Sequence, residues 1–119
     1  MPTPASPEHG AIHDLSAVAE ELRREPAYAR EGHTARTLVR TSDLRVVLIA
    51  IGAGKRISEH HANVTAAVHV LTGHIRLQLA DRNVDLPAGQ VLVLGSGLEH
   101  DVYADTDSLF MLTLGWKAV

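Results

Sequence analysis

Eight histidines and no cysteine bound the chemistry open to this chain of 119 residues. Without thiols there are no disulfides, no thiolate ligands and no cysteine nucleophile, so imidazole and carboxylate are the strong ligands and acid–base groups on offer. The histidines are concentrated past the midpoint, with His60 and His61 adjacent, His69 and His74 following, and His100 further on. Neighbouring residues of a strand face opposite sides of the sheet, so His60 and His61 enter one cavity together only across a bulge. Glu59 and Glu99 each precede a histidine, and the same alternation turns them away from it, toward the surface or a supporting role behind it. Asp101 is placed in the same way. His74 shares a polar face with Arg76 and Gln78 and reads as a solvent or interface residue, while His9, His13 and His33 read as surface residues. A Ser/His/Asp triad, a P-loop and a dinucleotide-binding glycine pattern are all absent. Gly52-Ala53-Gly54 is a glycine pair after a strand, with no helix pattern behind it to receive phosphate.

The elements that would position these groups are mostly strands. Residues 1–13 hold three prolines and little apolar material, and read as a mobile arm ahead of a domain spanning 14–119. Leu15, Val18, Ala19 and Leu22 follow helical spacing, with Asp14 or Ser16 placed to cap the first amides, which predicts one short N-terminal helix ended by Pro26. Tyr28 to Gly32 reads as a connector. From His33 the pattern turns extended. Strands are expected at Arg36 to Arg40, Leu44 to Ile51, Val64 to Leu71, His74 to Ala80, Val84 to Leu86, Val91 to Leu94, His100 to Ala104 and Leu109 to Leu114, separated by polar or glycine-containing turns. Ile75, Leu77 and Leu79 alternate with His74, Arg76 and Gln78, the pattern of one buried and one wet face. Leu44 to Ile51 is apolar on both faces. That leaves apolar surface for a second subunit to cover, and a homodimer is expected. Short strands at this spacing argue an all-β sandwich or barrel.

Composition narrows the function classes. The chain has the length of one domain, and its longest apolar run, Val46 to Ile51, is far too short to span a membrane. The N-terminus lacks a basic segment followed by an apolar one, so no secretory signal is expected and the cytoplasm is the expected location. A formal charge of −3 with no basic stripe, and aromatics scattered at Tyr28, Tyr103, Phe110 and Trp116, disfavour nucleic-acid binding.

Two stretches add a resemblance. GKRISEHHANVTAAVHVLTG, from Gly54 to Gly73, and PAGQVLVLGSGLEHDVYA, closing at Ala104, resemble the two signature motifs of the cupin superfamily. Gly54, His60, Ala62, Ala66 and Gly73 fall on the positions of the first motif, and Gly89, Gly95, Gly97, His100 and Ala104 on those of the second. The resemblance implies a double-stranded β-helix, the jelly-roll cupin barrel, over about residues 36–114, in a small bacterial-type protein. It also implies where a metal would sit. A metal-binding member carries His, His, Glu and His, whereas this chain supplies His60, Ala62, Ala66 and His100. Two imidazoles are left where about three protein ligands are needed to hold a transition metal.

Two functional readings follow. In the first, a small organic ligand occupies an apolar cup lined by Val68, Val70, Leu77, Leu92 and Val102, with His60 and His100 supplying hydrogen bonds and the metal site depleted. In the second, the chain is a metal-dependent oxygenase or isomerase holding Fe, Mn, Ni or Zn on His60, His100 and a third ligand, His61 or His69. If Ala66 faces inward, Val68 and Val70 do too and His69 points out; the opposite register turns His69 in. The resemblance leaves catalysis and substrate open, because a fold of this breadth hosts enzymes and binding modules alike.

Overall fold

The computed structural model describes residues 9–60 and 63–115, the side chains of residues 59 and 60 excepted. The arm expected at 1–13 lies outside the described residues up to Glu8, and His9 to His13 are exposed. Helix α1 (Leu15–Arg24) is capped by Asp14, whose Oδ1 accepts from the backbone N–H of Ala17 at 3.1 Å. Pro26 does not lead into a connector. It opens a second helix, α2 (Pro26–Glu31), because the first turn needs no amide proton and proline's fixed φ suits it. Gly32 closes α2 in the left-handed conformation, its N–H donating to Tyr28 O at 2.8 Å.

Among the described residues nine strands follow: β1 (His33–Arg40), β2 (Leu44–Ile51), β3 (Arg56–His60), β4 (Ala66–Thr72), β5 (His74–Leu79), β6 (Asn83–Pro87), β7 (Val91–Leu94), β8 (His100–Ala104) and β9 (Ser108–Gly115). They form a five-stranded sheet in the order β1-β2-β9-β4-β7 and a four-stranded sheet in the order β3-β8-β5-β6. Every adjacent pair is antiparallel. From β2 on, the chain alternates between the two sheets except at the β5–β6 hairpin, and this is the jelly roll. Strand β3 has no counterpart among the strands expected from sequence, since Arg56 to His60 contains one aliphatic residue, Ile57, and gives alternation nothing to repeat on.

Two apolar clusters hold these layers. Between the sheets lie Ile51, Val68, Val70, Ile75, Leu77, Leu79, Leu86, Leu94, Val102, Ala104 and Phe110. On the outer face of the larger sheet, Leu38, Leu48, Ala50 and Leu109 pack against Ala19 and Leu22 of α1. Strand β2 therefore has two apolar faces because it is covered twice, with Ile49 and Ile51 toward the barrel interior and Leu48 and Ala50 toward the helices. The helices cover this surface. Polar contacts fix the helices as well: Arg36 pairs with Glu21 and, at 3.0 Å, with Glu25, which also accepts from the Thr34 hydroxyl at 2.8 Å. These partners hold the Glu25 carboxyl below its ordinary pKa, the Thr34 bond first and Arg36 second. Among the described residues, no helix is long and apolar enough to cross a membrane.

Gly73, between β4 and β5, adopts φ 85°, and a side chain there would bring Cβ to 2.3 Å from Ser108 Oγ and 2.5 Å from Asp107 O. Ser108 is fully buried. Its Oγ accepts from His74 N at 3.0 Å and donates to Thr106 O at 2.7 Å, so the β4–β5 and β8–β9 turns are closed onto each other. Gly73→Ala is expected to destabilise the fold by about 1–3 kcal/mol through backbone strain alone, with the steric clash in addition. Leu22→Ala, at the fully buried centre of the helix–sheet cluster, is expected to cost about 2–5 kcal/mol. Urea unfolding followed by circular dichroism measures both.

Candidate functional site

Each sequence motif contributes one strand to the site, β3 from the first and β8 from the second, and the two strands are neighbours. The Gly54 N–H donates to Ala104 O at 2.8 Å, and the Ala104 N–H donates to Lys55 O at 3.1 Å, which joins the start of one motif to the end of the other. Along this ladder Arg56 pairs with Tyr103, Ile57 with Val102, and His60 with His100. From Ile57 to His60 is three steps on β3 but only two on β8, so a bulge absorbs one residue. Without that extra residue, a regular ladder would not bring His60 level with His100. His61 and Ala62 lie outside the described residues.

His100 opens β8 on the face shared with the buried Val102 and Ala104, and it is half-buried. Its Nδ1 lies 3.3 Å from Leu98 O, a contact that favours a proton on that nitrogen. A surface recess of about 240 Å³ beside it is lined by Gln78, Leu79, Ala80, Glu99, His100 and Asp101. Val68, Val70, Leu77 and Val102, read from sequence as the cup wall, are each at most 4% exposed and belong to the interior cluster, with Leu92 packed against it. On β4, Ala66, Val68 and Val70 are buried, while Ala67, His69 and Leu71 alternate with them on the other face. His69 thus lies on the side of β4 away from the barrel interior.

The four-ligand set implied by the resemblance does not fit this chain. Alanine offers no donor atom at positions 62 and 66, and Ala66 is buried in the ladder of β4.

The outer face of the four-stranded sheet is polar. Arg56, Arg76, Leu77, Gln78, Asn83, Asp85, Asp101 and Tyr103 line a recess of about 450 Å³ on it. The guanidinium of Arg76 donates to Asp105, with Nη2 to Oδ1 at 2.5 Å and Nε to Oδ1 and Oδ2 at 3.1 and 3.2 Å, and lies 4.9 Å from the centre of the Tyr103 ring. Asp105, through hydrogen bonding and then charge, holds Arg76 above its ordinary pKa. Arg56 stands 3.8 Å from Asp101. The strand alternation of β5 signalled His74, Arg76 and Gln78 on this face. Asp85 and Asp105 escaped notice because they come from β6 and from the turn after β8, and only strand pairing brings them beside β5.

Comparison with solved structures gives the same architecture. A conserved protein of unknown function from Streptococcus pyogenes superposes with a TM-score of 0.73 at 24% identity, covering 100% of this chain and 98% of that one. A Thermus thermophilus protein gives 0.73 at 18%, covering 90% and 98%. An RmlC-like cupin with a double-stranded β-helix fold, from Methanocaldococcus jannaschii, gives 0.64 at 16%, covering 71% and 81%. At these identities the likeness is one of fold. Comparison with curated protein sequences yields no match. A sequence model of the cupin domain matches residues 45–114, which run from β2 to β9 and take in both motif strands and the ladder that joins them. By its jelly-roll strand order and this match, the chain belongs to the cupin domain family.

Proposed function

We propose that this cupin binds a small organic ligand at the open end of its barrel, beside His60 and His100, without a metal in the family's ligand positions. The observation that carries the reading is the pairing of His60 with His100 across β3 and β8, in a chain whose other two family positions are alanines. Two histidines paired at one ladder position suit hydrogen bonding to a ligand's polar groups better than holding an ion, which needs about three protein ligands. Val68, Val70, Leu77 and Val102 lie in the apolar interior cluster with Leu92 packed against it, and on this reading they back the ligand while the recess beside His100 admits it. The oxygenase or isomerase reading requires a third ligand: the parity of β4 turns His69 away, and His61, the other candidate, lies outside the described residues.

The test is a thermal-shift screen of small carboxylates, sugars and heterocycles. A ligand at a hundredfold its Kd stabilises the native form by about 2.7 kcal/mol. The shift is expected to persist in EDTA and to vanish in the His60→Ala, His100→Ala double variant. A shift that EDTA abolishes, or that the double variant retains, overturns this reading.

The same proposal includes a second copy of the chain as partner. Strand β7 ends its sheet and exposes Val91 and Val93, at 53% and 66%, beside β4 and away from the helices, which pack on β1 and β2. An edge strand with open backbone groups and outward valines is suited to two-fold pairing with itself. Light scattering at micromolar concentration is expected to give a dimer that Val93→Lys dissociates; a monomeric parent protein would refute it.

A further inference from the structure

We propose that His74, Asp85 and Asp105 form a divalent-cation site on the outer face of the four-stranded sheet, with zinc as the best-suited ion. The three residues come from separate segments: the first residue of β5, the middle of β6 and the turn after β8. Their ligand atoms all lie within 4.8 Å of one another. His74 Nε2 is 3.6 Å from Asp85 Oδ1 and 3.7 Å from Asp105 Oδ2. Both distances exceed a hydrogen bond. This nitrogen is also shielded from solvent and has no hydrogen-bond partner among the described residues, although the histidine side chain as a whole is 39% exposed. A shielded ring nitrogen between two carboxylates is left unsatisfied by the protein alone and satisfied by an ion placed among them.

The spacing fits such an ion. With metal–ligand bonds of about 2.0–2.2 Å, tetrahedral ligands stand about 3.4 Å apart, so both histidine–carboxylate edges are within a few tenths of an ångström of coordination geometry. Asp85, with its side chain 68% exposed, has the freedom to adjust its position relative to Asp105. The remainder of the site is held in place. The His74 N–H donates to Ser108 Oγ at 3.0 Å, and the His74 carbonyl accepts from the Asp105 N–H at 3.0 Å, so the backbones of these two ligands are bound to each other before any ion arrives. One imidazole with two carboxylates is a borderline set, which suits zinc better than the all-oxygen sites of magnesium or calcium.

Arg76 sets the affinity. It holds Asp105 mainly through Oδ1, and Oδ2, the oxygen nearer His74, is shared only with Nε. Two carboxylates against one guanidinium leave a net negative site, and the guanidinium weakens the attraction for a dication without abolishing it. Asp85 also lines the 450 Å³ polar recess, so an ion held there stands at the edge of a space that admits water or a small anionic ligand.

The experiment is calorimetric titration of zinc chloride into the full-length, untagged, chelator-treated protein. One equivalent is expected to bind. His74→Ala and Asp85→Asn are each expected to weaken it by at least tenfold, and Arg76→Gln to tighten it about tenfold by removing the opposing charge. The His60→Ala, His100→Ala double variant is expected to bind zinc as the parent does, so this proposal stands or falls apart from the ligand reading of the barrel mouth. Asp85→Asn is nearly isosteric on an exposed hairpin, and circular dichroism on each variant separates lost ligation from lost fold. Zinc binding that His74→Ala and Asp85→Asn leave unchanged, or no binding by the parent protein, overturns the proposal.

Discussion

A β-sheet with two apolar faces must be covered on both, and β2 imposes that requirement on the whole chain. Its alternate residues go to two different cores, Ile49 and Ile51 to the space between the sheets and Leu48 and Ala50 to the helix pair. A fully buried leucine or isoleucine, such as Leu48 on one face and Ile51 on the other, is worth about 1.5–3 kcal/mol, so neither face can be left in water at small cost. The helices are thus part of the structural solution to an otherwise exposed sheet. Arg36, Glu21, Glu25 and Thr34 then fix where they lie.

The other sheet is under no such constraint. Ile75, Leu77, Leu79, Leu86, Val102 and Ala104 face the interior, and its other side carries His74, Arg76, Gln78, Asp85, Asp101 and Tyr103. Burial on one side and hydration on the other give the two faces separate chemistry. At the rim, His60 and His100 meet on the ladder joining the two motifs. On the outside, His74 meets carboxylates from β6 and the turn after β8. The two proposed sites share a sheet but draw on different residues.

Two small backbone features position these groups. The bulge between Ile57 and His60 brings His60 level with His100 where a regular ladder would not. Gly73, at a point where any side chain would strike Ser108, allows the β4–β5 turn to close on the β8–β9 turn and hold His74 against Asp105. Both act through main-chain geometry, which is why the residues they serve are far apart in sequence.

Alternation in the chain was enough to place Ile75, Leu77 and Leu79 inside and His74, Arg76 and Gln78 outside, because strand parity is a local property. Parity likewise makes His69 opposite to Val68 whatever the fold, and the motif spacing singled out His60 and His100 together with the alanines that thin the ligand set. Other features had no local signature. Pro26 ends one helix and begins another, and proline suits either role; β3 offers a single aliphatic residue; and a strand apolar on both faces does not say what covers it. Pairing of Asp85 and Asp105 with His74 was likewise decided only in three dimensions. Sequence determines which face a residue takes along its own strand, and only tertiary structure determines which strands, turns and helices are brought against that face, because register and layer order arise from contacts between segments that are distant along the chain.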